Sequence, residues 1–179
     1  MQIKEALISG LKLIEPRVFS DDRGWFAEMW NKAAYEAAGL PTCFLQDNQS
    51  HSRRGVLRGL HYQLGHPQGK LVRVLQGTIY DVAVDLRPGS ATRGQWAGFE
   101  LSSENRHSLW IPENFAHGFL VLSETADVLY KVTGPYDPTA ERTLRWDDPT
   151  VAIRWPGDIA PILSAQDAAG SYWPEADLP

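Results

Sequence analysis

The stretch VLRGLHYQLGHPQGKLVR, residues 56–73, holds a His, an Arg and a Lys in two short apolar runs broken by a turn. His61 closes the first run, after Val56, Leu57 and Leu60, and Lys70 opens the second. Gly65, Pro67 and Gly69 lie between them and supply turn chemistry. Read as neighbouring strands, the two runs form a hairpin that brings His61 and Lys70 back towards each other. Lys70 is either a solvated strand charge, the usual fate of a Lys, or, since Val72, Val74 and Gln76 share its face, a lysine inside or at a mouth, where it needs an anion. A base beside an ammonium suits a reaction that pulls a proton and leaves a negative charge.

Working outward, the same short-strand rhythm recurs. Gly10 to Pro16, Trp25 to Trp30 and Phe44 to Asn48 read as strands, with Ser20–Gly24 as a turn. TIYDVAVDL, residues 78–86, alternates strictly: Tyr80, Val82, Val84 and Leu86 on one face, Ile79, Asp81, Ala83 and Asp85 on the other. Trp96–Leu101, Ser108–Ile111, Phe115–Leu122, Asp127–Thr133 and Arg142–Trp146 continue the series. Asn31 caps a helix over KAAYEAAG, which Gly39 and Pro41 stop. Ser164-Ala165-Gln166-Asp167 reads as a capping box opening a second short helix. Many short β runs divided by Gly, Pro and Asn point to an all-β sandwich or jelly roll with a few peripheral helices. No repeat or linker divides residues 1–179, so one domain is expected.

Composition narrows the function. Seventeen basic against 22 acidic residues leave a net charge of -5, which gives a nucleic-acid partner no support. A local Arg and Lys cluster can still hold a small anion. The single cysteine, Cys43, cannot form an internal disulfide, which fits a reducing compartment. The N-terminus has no apolar stretch of signal-peptide length and no run approaches a membrane span, so a cytoplasmic protein without membrane association is expected.

Each candidate site residue has two readings. His61 and His117 are either hydrogen-bonded wall residues or functional imidazoles. As a metal site they fall short: the H-x-H position of metal cupins reads His61-Tyr62-Gln63, and Lys70 stands near the place of the expected Glu. A metal-free cavity is expected. Tyr130 alternates with Val128 and Val132 and is a core aromatic or a phenol that donates a proton opposite a base. Asp167 is the capping partner of Ser164 or a carboxylate that orients His61. Arg23 and Arg58, each beside a Gly, are either exposed surface charges, the commoner case, or a phosphate fork. No P-loop or dinucleotide fingerprint occurs, so side chains must hold any nucleotide.

Residues 56–63 (VLRGLHYQ), 68–73 (QGKLVR), 109–113 (LWIPE) and 115–119 (FAHGF) resemble the dTDP-4-dehydrorhamnose 3,5-epimerase family. So do residues 44–48 (FLQDN), 129–131 (LYK), 145–148 (RWDD) and 163–167 (LSAQD), and the resemblance runs from about residue 3 to residue 170. It implies a metal-free, cofactor-independent cupin-type jelly roll working as a homodimer on dTDP-4-dehydro-6-deoxy-glucose. It implies His61 as general base supported by Asp167, Lys70 as enolate stabiliser and Tyr130 as proton donor. By the same resemblance Arg23, Glu28, Gln46, Asp47, Asn48, Arg58, Lys70, His117, Tyr136, Glu141 and Gln166 fall at substrate-binding positions, with Arg23 and Glu28 reaching the partner subunit's nucleotide. Two positions depart from the pattern: Gln166 stands where Lys is frequent, and Pro135 precedes Tyr136 where a Tyr pair is frequent. The alternatives are an epimerase acting at C3 or C5 alone, and a non-catalytic nucleotide-sugar-binding cupin.

Overall fold

The structure is a computed structural model describing residues 1–157 and 159–179. Its strands are β1 (Gln2–Glu5), β2 (Lys12–Glu15), β3 (Val18–Asp21), β4 (Gly24–Ala27), β5 (Gln46–Arg53), β6 (Leu57–Gln63) and β7 (Lys70–Gln76). They continue as β8 (Thr78–Asp85), β9 (Trp96–Ser102), β10 (Ser108–Ile111), β11 (Phe115–Val121), β12 (Thr125–Val132) and β13 (Glu141–Thr143). Two short helices, α1 (Lys32–Ala37) and α2 (Ala165–Ala168), lie outside the sheets. A six-stranded sheet, β1-β2-β10-β7-β12-β5, faces a five-stranded sheet, β13-β6-β11-β8-β9, and β3 with β4 form a separate hairpin. The strand pairs are antiparallel, giving a cupin-type jelly roll.

The alternation in β8 explains the layering. Ile79 and Ala83 point between the sheets and join Val72, Val74, Leu109, Phe115 and Phe119 in the central core. Val82 and Val84 point the other way and pack, with Leu60, Tyr62 and Ala116, against Val151, Ile153, Trp155 and Trp173 of the C-terminal segment. Both faces are therefore covered, each buried Val, Leu or Ile contributing about 1.5–3 kcal/mol. On the outer face of the six-stranded sheet, Ile14, Leu71 and Trp110 take up Tyr35 of α1 and the following Leu40. The expected caps are formed. Asn31 accepts the Ala34 N–H and Ser164 the Asp167 N–H.

Several expected elements have different limits. The stretch 56–73 is not a hairpin, because β6 and β7 belong to opposite sheets. The intervening turn carries the chain across the barrel. His61 and Lys70 still meet, but from facing walls rather than along a shared edge. The strand expected at Phe44–Asn48 begins at Gln46 and runs on to Arg53 through QDNQSHSR, a sequence with no apolar residue. The strand expected over Trp25–Trp30 ends at Ala27, and the one expected over Arg142–Trp146 is Glu141–Thr143. Polar pairing with β12 forms the first without a hydrophobic signal.

Candidate active site

A β-bulge aims the site. In β6 and β11, His61 pairs with His117 and Arg58 with Phe119, so Gly59 and Leu60 together oppose Gly118. In a regular strand, positions 58 and 61 face opposite ways. The extra residue turns both inward. Gly59 makes this possible with φ +102, and a Cβ there would lie 2.5 Å from the His117 carbonyl oxygen. Ser50, Arg58, His61, Lys70, His117 and Tyr130 consequently line one cavity of about 110 Å³ between the sheets.

His61 is half-buried, and its Nε2 lies 2.7 Å from Oδ1 of the buried Asp167. A carboxylate only accepts, so Nε2 carries the proton and Nδ1 keeps the lone pair of a base. Asp167 is held by the Gly59 N–H at 3.1 Å and the Ser164 hydroxyl at 2.7 Å. Burial raises its pKa, but the hydrogen bonds from His61, Ser164 and Gly59 outweigh this and leave it lowered. Asp167 thus makes both contacts, its backbone N–H with Ser164 and its carboxylate with His61.

Lys70 Nζ donates to the His61 carbonyl at 3.4 Å. Burial pushes its pKa down to about 8, against the pull of the Asp81 and Glu141 carboxylates. Asp81, behind His117, is a buried acid that sequence reasoning did not single out. It is fully buried, accepts from His117 Nε2 at 2.9 Å, and leaves Oδ1 without a partner among the described residues. The available signal was an acid on the inward face of an otherwise apolar strand. Burial lowers the His117 pKa; Asp81 pulls it up, while Lys70 and His61 push it further down.

Tyr130 projects from β12 on the opposite sheet. Burial raises its pKa, with Arg58 lowering it and Glu141 raising it. The phenol therefore keeps its proton. Asn48 is its cross-strand partner and Gln46 that of Val132, so both share the inner face, and Gln46 donates to Asn48 at 2.7 Å. Asp47 lies between them and faces outward, paired with Lys131 Nζ at 2.8 Å. The alternation of β5 thus separates it from this cavity. At the mouth, Glu141 accepts from the Tyr136 hydroxyl at 3.0 Å and from Gln166 Nε2 at 3.1 Å. Glu141 also lines a pocket shared with His61 and Lys70.

Arg23 and Glu28 are not brought to this cavity within the chain. Arg23 sits at the tip of the β3–β4 hairpin in an exposed ion pair with Asp21 at 2.6 Å. Glu28 follows the hairpin and accepts from Asn31 at 3.1 Å. Among the described residues no group of three or more His, Cys, Asp and Glu side chains is placed to hold a metal ion. No described helix is long and apolar enough to cross a membrane.

An oriented imidazole, a buried ammonium and a protonated phenol around one small cavity make up the equipment of an isomerase that moves protons on carbon. Comparison with known proteins agrees. Residues 5–175 match the family model described as dTDP-4-dehydrorhamnose 3,5-epimerase, and the chain belongs to that family. The Pseudomonas aeruginosa dTDP-4-dehydrorhamnose 3,5-epimerase is 53% identical over 178 residues, spanning 99% of this chain and 98% of its own. The crystal structure of the Legionella pneumophila 3,5-epimerase in complex with dTDP-4-keto-L-rhamnose superposes with a TM-score of 0.92 at 49% identity, covering 96% of this chain and 92% of that one. A 3'-monoepimerase from Streptomyces bikiniensis, in complex with dTDP-quinovose, is more distant: TM-score 0.86 at 32% identity, covering 94% and 86%.

Proposed function

We propose that this chain converts dTDP-4-dehydro-6-deoxy-α-D-glucose to dTDP-4-dehydro-β-L-rhamnose by inverting C3 and C5 in turn. The observation that carries the reading is the 2.7 Å contact between His61 and Asp167 beside the buried Lys70 amine. Both carbons are α to the C4 ketone. His61 Nδ1 takes the proton from carbon, the C–H electron pair moves into the enolate, and the C4 oxygen becomes an anion. The Lys70 ammonium stabilises that oxygen, and losing such a donor in a water-poor cavity typically costs ~3–4 kcal/mol in the transition state. Tyr130 then gives its phenolic proton to the carbon from the opposite face. The ketone reforms with inverted configuration, and solvent returns a proton to Tyr130 and removes one from His61.

Arg58, His117, Gln46, Asn48, Tyr136, Glu141 and Gln166 hold the nucleotide sugar around this centre. Residues 1–179 act as one unit and pair as a homodimer in the cytoplasm. The exposed hairpin carries Arg23, with Glu28 just after it, to the partner's nucleotide. Support comes from the half or more exposed Phe19, Trp25 and Phe26 on the hairpin, and from the family resemblance, which implies that Arg23 and Glu28 reach the partner's nucleotide. Product analysis by NMR tests the reaction: inversion at both C3 and C5 is expected. A product inverted at one carbon selects a monofunctional epimerase, and tight dTDP binding without conversion selects a non-catalytic binder.

A further inference from the structure

The two oxygens of Asp167 have separate partners. Oδ1 takes the His61 Nε2 proton at 2.7 Å and the Gly59 N–H at 3.1 Å. Oδ2 takes the Ser164 hydroxyl at 2.7 Å, while the Ser164 oxygen accepts the Asp167 backbone N–H at 3.0 Å. Capping a helix needs only that second contact. The hydroxyl proton is free to go elsewhere, and it is spent on the carboxylate that faces His61.

We propose that Ser164 is a positioning residue for proton abstraction: by bonding Oδ2 it fixes the plane of the Asp167 carboxylate and withholds part of its charge from the His61 imidazole. The proposal rests on the reading of His61 as the general base. An ionised carboxylate divides its charge between the donors on its two oxygens. With three donors, Asp167 holds the imidazole in one tautomer while sharing its charge among all three. Remove the Ser164 donor and more of the charge falls on the His61 proton. A His with a stronger anionic partner gains proton affinity, so the neutral base appears only at higher pH. The other charged and titratable groups facing this centre are Lys70 on β7, Arg58 on β6, Tyr130 on β12, Glu141 on β13 and the His117–Asp81 pair on β11 and β8. None of them hydrogen-bonds to Ser164 among the described residues, so substitution at 164 leaves their arrangement in place.

The test is the pH profile of kcat/KM for Ser164→Gly, Ser164→Ala and Ser164→Thr, with the His61 imidazole titrated by NMR in the same proteins. Gly is nearly as good an N-cap as Ser, so Ser164→Gly removes the donor with little harm to α2 and carries the test if Ser164→Ala fails to fold. The expected result is an acid limb moved up by about half a pH unit or more in the Gly and Ala variants, matched by the imidazole titration and restored by Thr. An acid limb and an imidazole titration that stay at their wild-type pH overturn the proposal, even if the Ala variant melts earlier, because capping alone explains the melting. His61→Asn is run in parallel. If it still exchanges substrate protons, the reading of His61 as base fails. If it is inert while the Ser164 variants titrate like wild type, only the role of Ser164 fails.

Discussion

At Lys70 one amine has to be both buried and charged. Burial brings its pKa down to about 8, so near neutrality most molecules still carry the ammonium, and the charge is lost as pH rises through that value. The basic limb of kcat/KM is therefore expected at about pH 8. Since kcat/KM reports the free enzyme, an anionic substrate that stabilises the ammonium moves the limb of kcat upward. Lys70→Gln removes the limb and lowers kcat by about 10²–10³-fold. A basic limb unchanged in Lys70→Gln would assign it to another group. His61, Lys70, Tyr130 and Asp167 were all legible from residue type and motif. Asp81 was not, since an acid in a strand reads as an outward residue until its face is known.

Bulge, turn and cap decide where those side chains point, and this is the scale at which sequence reading was weakest. Alternation places His61 correctly but sets Arg58 on the other face, because nothing in RGLH reveals that two residues oppose one. Likewise, an apolar run on either side of a turn reads as a hairpin, while the choice of sheet depends on long-range pairing. The eight-residue β5 was legible for less than half its length, because its partner rather than its composition makes it a strand. Gly59→Ala tests the bulge directly. A Cβ at φ +102 and 2.5 Å from the His117 carbonyl costs about 1–3 kcal/mol of strain and displaces His61. The expected outcome is a lower melting temperature and a kcat reduced by roughly 10²-fold. The end of β8 offers a second test. Arg87, Ser90 and Thr92 all bond the buried Asp85 carboxylate, and together they outweigh the burial that raises its pKa, holding it well below the usual carboxylate range. A carboxylate lowered in this way stabilises the fold at pH values above ~4, its unfolded range, and loses that contribution as pH falls below it. Asp85→Asn is expected to cost about 2 kcal/mol at pH 7 and less at pH 3 by urea denaturation; a pH-independent difference would contradict the ion-pair account.

Across the whole molecule, one cavity lies between two sheets whose outer faces are closed by α1 on one side and the C-terminal segment on the other. The C-terminal segment also delivers Asp167, so truncation before residue 164 removes the orienting carboxylate together with part of the core. The proposed homodimer can be tested through the exposed hairpin. If Arg23 works in the partner's site, co-expressed Arg23→Ala and His61→Asn chains form mixed dimers with one intact site. Random pairing then yields about a quarter of wild-type activity from two inactive parents, whereas an Arg23 that serves its own chain yields none. The central claim is that His61 removes protons from carbon. Solvent-deuterium uptake at C3 and C5, followed by NMR in wild type and His61→Asn, tests this most directly. The account predicts deuterium at both carbons with wild type and at neither with His61→Asn; uptake by His61→Asn at the wild-type rate would contradict it.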